Sequence, residues 1–143
     1  MFTLPKGDFA IFDESKGADL LFQGSRPSPK PYVTGYWKPE VKEIEELEEK
    51  LLEFPEIKSS NSKYVQKFTT ENDRPPAGAY RRQYVGIIMN TKKLIYANFL
   101  PRDNSHEDIN QVLMVFDGGA SYWGIVYDPE TKSFSDIEFN GES

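Results

Sequence analysis

V-L-M-V-F-D-G-G-A-S-Y-W-G-I-V-Y-D-P-E-T-K-S-F-S-D-I-E-F-N-G, running from Val112 to Gly141, decides the fold class. It reads as three consecutive strands with two connections. The first apolar run ends at Asp117, and Gly118-Gly119 permits the left-handed backbone that a tight connection needs. Tyr122 to Tyr127 is rich in aromatic and β-branched residues, which suit a pleated, half-buried surface. Asp128-Pro129-Glu130-Thr131 then places Asp at the first and Pro at the second position of a type I turn. The last strand, Phe134 to Phe139, closes at Asn140-Gly141.

Working back along the chain, Tyr80 to Asn90 and Leu94 to Leu100 form a second hairpin, joined through Thr91-Lys92-Lys93. In its first strand Val85, Ile87 and Met89 share one face, and Arg82, Tyr84 and Ile88 the other. Y-V-G-I-I-M-N from Tyr84 is echoed by Y-W-G-I-V-Y-D from Tyr122. A glycine within a strand marks a bulge, a bend or a close approach. Gly86 and Gly124 are therefore expected to be packing glycines, either where a helix crosses the sheet or where the sheet curls around that helix.

That helix is expected over Pro39 to Phe54. Pro39 suits the first helical position and Pro55 stops the run. Val41, Ile44, Leu47, Leu51 and Phe54 form one apolar stripe, and the glutamates between them are expected to be solvated. Between helix and first hairpin, Tyr64 to Phe68 is a short strand or helical turn in a polar stretch.

Earlier still, Pro27, Pro29, Pro31 and Pro39 among Gly, Ser and Lys read as a linker. The short apolar patches of residues 1–24 fit short strands or a docking arm. Residues 1–37 are thus expected to be an arm and Pro-rich linker, and residues 38–143 a single α+β domain. Its expected architecture is one N-terminal amphipathic helix packed on a curled antiparallel sheet of four or five strands.

Composition narrows function mainly by exclusion. A chain of 143 residues with 28% charged and 14% aromatic residues can bury a real core. Its net charge of −6 argues against nucleic acid or an anionic membrane as partner, with the Arg81-Arg82 pair a weak basic patch. No cysteine is present, which removes thiolate catalysis, disulfides and cysteine-ligated zinc. His106, the single histidine, lies beside Glu107 and Asp108 in a hydrophilic loop and is expected at the surface. Asp117 and Asp128 stand at two ends of one strand, over ~20 Å apart by strand rise, and are expected to be turn residues. No metal or cofactor is expected. No run approaches a membrane span, and no leader is read at the N-terminus, so the chain as written is expected in the cytoplasm.

Y-R-R-Q-Y-V-G-I-I, L-I-Y-A-N-F, V-F-D-G-G-A-S-Y-W-G-I-V-Y-D-P-E-T and F-N-G resemble a group of small bacterial proteins of unassigned function, many of them predicted lipoproteins. In those a cysteine commonly precedes D-G-G, where this chain has Phe116. The resemblance implies an envelope location where a leader has been removed, and it implies no active site. The order helix, then antiparallel strands, resembles the cystatin-like arrangement, without the inhibitory Q-x-V-x-G. Leu21-Phe22-Gln23-Gly24 resembles the core of a picornaviral 3C-type protease cleavage site.

The expected function is a non-enzymatic protein-interaction or inhibitor-type module with a protein partner. The alternative is a small-molecule-binding or simple-chemistry pocket between helix and sheet. Tyr84, Tyr96, Tyr122, Trp123 and Tyr127 are the candidate interaction residues. Alternation cannot turn all five inward, and exposed Tyr and Trp make strong interface anchors. Gly86, Gly124, Gly118, Gly119 and Pro129 are the expected structural residues.

Overall fold

A computed structural model describes residues 9–21, 32–51, 56–58, 65–67, 80–101, 108–112 and 123–139; for residues 56–58, 65–67, 80, 101, 123 and 136–139 it describes the backbone alone. The elements are β1 (Phe9–Ile11), a 3₁₀ turn (Glu14–Lys16), α1 (Gly17–Leu21), β2 (Gly35–Trp37), α2 (Val41–Leu51), β3 (Glu56–Lys58), β4 (Val65–Lys67), β5 (Tyr80–Met89), β6 (Lys92–Pro101), β7 (Trp123–Asp128) and β8 (Ser133–Phe139). The fold is α+β. No described helix is long and apolar enough to cross a membrane.

β5, β6, β7 and β8 form an antiparallel run, and β1 and β2 both pair with the outer edge of β5. Among the described residues the sheet therefore has six strands and is mixed, since β1 runs parallel to β5. This corrects the expectation of four or five antiparallel strands. It also corrects the boundary at residue 37. Phe9–Ile11 align with Arg82 to Tyr84, and the Phe12 amide continues the pairing to the Tyr84 carbonyl at 2.8 Å. Leu20 and Leu21 are buried, so the Leu21 of the protease-site resemblance is a core residue of α1. Patches of three or four apolar residues carry no periodicity, which is why the sequence alone reads them as an appendage.

α2 starts later than expected. The Glu40 carbonyl accepts the Glu43 and Ile44 amides, and Glu43 Oε1 reaches back to accept the Glu40 N–H at 3.0 Å. That is the N3 half of a capping box, so Glu40 takes the cap position and buried Pro39 precedes it. The expected end of the helix at Phe54 lies outside the described residues. The β5–β6 hairpin turns through Asn90-Thr91, both at positive φ (52° and 63°), with Met89 opposite Lys92. This two-residue type I′ geometry replaces the three-residue connection expected at Thr91-Lys92-Lys93.

The sheet is covered on both faces. Over one, Ile44, Leu47 and Leu51 of α2 meet Tyr84, Ile95, Ala97, Phe99, Ile125 and Tyr127. Under the other, Phe12, Leu20, Leu21 and Ile109 meet Val85, Ile87, Tyr96 and Val126. The two faces expected for β5 are those observed.

The two Y-x-G-I segments do not occupy equivalent places. Gly86 aligns with Ile95 and then Tyr127, on the α2 face. Gly124 aligns with Asn98 and Gln83, on the opposite face, beside a register shift between β7 and β8. What approaches Gly86 is Trp37, not the helix. A Cβ at Gly86 would lie 2.5 Å from Trp37 Cε2 and 2.5 Å from the Trp37 carbonyl oxygen, so only glycine fits. The strand expected from Val112 to Asp117, with Gly118 and Gly119, falls outside the described residues except for Val112; His106 lies outside them too.

Candidate functional site

Two polar assemblies flank α2, one sealed beneath it and one open at its N-terminus. In the first, Arg82 Nη2 donates to Glu48 Oε1 at 2.6 Å, and the Tyr84 hydroxyl donates to Glu48 Oε2 at 2.8 Å. Arg82 and Tyr84 alternate on the helix face of β5, while Glu48 sits one turn beyond Ile44 on the stripe α2 turns inward. The side chains of Arg82 and Glu48 are 0% and 1% exposed. Burial, reinforced by the Glu48 charge, holds the Tyr84 hydroxyl well above its ordinary range. For Arg82 burial works against the charged form, but Glu48 and Tyr84 together outweigh it and the net shift is upward. Phe99 lies against the same guanidinium, 5.4 Å from its ring centroid. This cluster corrects two expectations: Glu48 is not solvated, and Arg81-Arg82 is no basic surface, because both arginines are buried.

The open assembly is a groove of about 470 Å³ with Trp37 as its aromatic wall. Trp37 is fixed from behind. Its indole N–H is shared between the carbonyls of Ile87 (3.1 Å) and Leu94 (3.0 Å), and its ring packs where Gly86 has no side chain. Lys93 lies across the ring, its Nζ 5.3 Å from the centroid. Glu40 and Glu43 at the start of α2 form one rim, and Pro129 and Glu130 of the β7–β8 turn form another.

Those rims are tied together. Asp128 Oδ1 accepts the Glu130 amide at 2.9 Å and Oδ2 accepts from Lys92 at 3.1 Å, which joins the β7–β8 turn to the β5–β6 hairpin. Burial raises the Asp128 carboxyl, but the Lys92 ammonium and the turn amides outweigh it and hold it below its ordinary value. Glu46 then joins the same turn to α2: its carboxylate accepts from Lys132 at 2.6 Å and from the Tyr127 hydroxyl at 2.9 Å. The Lys132 contact is the main reason that the Glu46 carboxyl is held low. The Asp128 carbonyl also accepts the Lys132 amide at 2.7 Å, which closes the turn that contains Pro129 and Glu130.

On the sheet's other face Gln83 Nε2 donates to the carbonyls of Ile109 (3.0 Å) and Gln111 (2.6 Å), and Asn98 Nδ2 donates to Gln83 Oε1 at 3.3 Å. This amide pair fastens residues 108–112 to the sheet. Among the described residues no three His, Cys, Asp or Glu side chains converge.

Of the five aromatic residues expected as interaction anchors, Tyr84, Tyr96 and Tyr127 are buried. Tyr84 and Tyr127 fill the core under α2, and Tyr96 fills the core on the sheet's other face. Tyr122 lies outside the described residues, and for Trp123 only the backbone is described. Trp37, Lys93 and Glu48 were missed. Trp37 sits in a Pro-punctuated stretch with no strand period. Glu48 had a readable signal, standing four residues after Ile44 and one after Leu47. Comparison of the chain with protein-family models, with curated proteins and with solved structures finds no match.

Proposed function

We propose that this protein is a non-enzymatic protein-interaction or inhibitor-type module whose partner is a protein. The observation that carries the reading is the cross-linked groove rim. Three chain-distant elements, the start of α2, the β5–β6 hairpin and the β7–β8 turn, are held together by Glu46–Lys132 and Lys92–Asp128 around a fixed indole. Such a surface loses little conformational freedom on binding, which is what a recognition face requires. The inward-facing carboxylate and tyrosine that would suit a catalytic pocket are instead engaged with each other and with Arg82. A cystatin-like element order has support in the succession β2, α2, β5, β6, β7, β8, with each sequential strand pair antiparallel. β1, α1, β3 and β4 are additions to that order.

The test is capture from host extract by the immobilised full chain, followed by calorimetry with the purified partner. Val41, half-exposed beside Glu40, gives a probe that leaves the core alone. Val41→Lys is expected to weaken binding about tenfold or more with a nearly unchanged melting temperature. Turnover of a small molecule by the purified protein, abolished by Glu48→Gln in a folded variant, would reverse the reading.

A further inference from the structure

We infer that the Trp37 groove is a seat for an arginine side chain presented by a basic segment of the partner protein. The inference rests on the interaction-module reading and names the chemistry of its contact. Its starting point is Lys93, a cation of the chain's own already lying across the indole face. One face of the ring is closed by the β5 backbone at Gly86, and the other is covered by a side chain that is itself exposed. A flexible lysine on an aromatic face is held weakly and leaves readily. What it occupies is a position where a cation is attracted by the ring and by nearby carboxylates.

Guanidinium fits that position better than ammonium. It is planar, stacks on an indole, is less strongly hydrated, and can bond a carboxylate through two N–H groups at once. Glu40 and Glu130 stand on opposite rims as exposed acceptors, whereas Glu43 already accepts the Glu40 amide. Lys38 and Lys93 offset part of this charge, and displacement of Lys93 from the ring leaves the groove more acidic. The chain's own net charge of −6 disfavours a second copy as occupant and disfavours nucleic acid equally. A basic protein segment is the complementary partner.

The experiment follows the Trp37 indole N–H resonance of the ¹⁵N-labelled full chain, assigned with Trp123→Phe. The probes are three capped tripeptides, Gly-Arg-Gly, Gly-Lys-Gly and Gly-Glu-Gly, titrated at fixed ionic strength. The arginine peptide is expected to give a saturable shift, the lysine peptide a weaker one and the glutamate peptide none. Lys93→Ala is expected to tighten the arginine peptide roughly 2–5-fold by vacating the ring. Glu40→Gln combined with Glu130→Gln is expected to weaken it by a similar roughly 2–5-fold. No saturable shift in either the wild type or Lys93→Ala overturns the seat, and so does an equal response to the glutamate peptide. A captured partner that binds the double Gln variant as tightly as wild type removes the arginine seat and leaves the module reading standing. Saturable arginine binding with no protein partner in host extract removes the module reading and leaves the seat.

Discussion

Arg82 and Gln83 are neighbours on one strand, and the two faces of the sheet treat them in opposite ways. Arg82 points toward α2 and is buried as a charge; Gln83 points toward residues 108–112 and is buried as a neutral amide. The difference lies in what each cover can supply. A helix has already used its backbone polar groups, so it satisfies a buried side chain only with another side chain, here Glu48. An irregular segment has carbonyls to spare, and those of Ile109 and Gln111 accept from Gln83. A charge is therefore buried under the regular element and an uncharged donor under the irregular one.

That contrast breaks most sharply at Glu48. Glu48→Ala strands a buried guanidinium, and loss of one partner of such a pair costs about 3–5 kcal/mol. Urea unfolding should show the loss, whereas replacing Glu48 and Arg82 together by Met should recover most of it. A double variant no more stable than Glu48→Ala would mean that the charge pair is not what organises this face. The neutral side gives a smaller effect. Gln83→Leu leaves two carbonyls without their donor and should cost about 1–3 kcal/mol. It should also speed amide hydrogen exchange at Gln111, whose segment loses its fastening. Unchanged exchange there would show that residues 108–112 are held by Ile109 packing instead.

The same two residues show how far the sequence could be read. Alternation placed Val85 and Ile87 on one face and Arg82 and Tyr84 on the other, because a two-residue period needs only a local window. It could not say that both faces are covered. The second cover comes from Phe12, Leu20 and Leu21, which lie in pieces too short to show any period. Of the five candidate anchors, Tyr96 is buried under that second cover, while Tyr84 and Tyr127 are buried under α2. The Y-x-G-I echo misled through register: partners are assigned across strands, and Gly86 and Gly124 align on opposite faces. Trp37, which gives Gly86 its reason, lies far away in sequence. Glu48 is legible in the sequence, since its spacing from Ile44 puts a charge on the apolar stripe and asks for a buried counter-charge.

Glu46 is the control that sharpens the comparison, because it lies two residues from Glu48 on the same helix and also holds a cation and a tyrosine hydroxyl. Its pair with Lys132 is open to water, the side chains being 35% and 51% exposed. Exposed pairs are screened, so Lys132→Ala should cost under about 1 kcal/mol, several-fold less than Glu48→Ala. The pH dependence has a definite sign. The Glu46 carboxyl is held below its ordinary value when folded, by Lys132 first and then by Tyr127. A depressed carboxyl stabilises the fold above the ordinary carboxylate range and loses that contribution as pH falls through the lowered value. The stability gap between wild type and Lys132→Ala should therefore be present at neutral pH, narrow in acid, and shrink with added salt. Paired urea unfolding curves across that range test it. A gap that persists at the acid end and at high salt would assign Lys132 a packing role, and the difference between sealed and open glutamates would no longer be electrostatic.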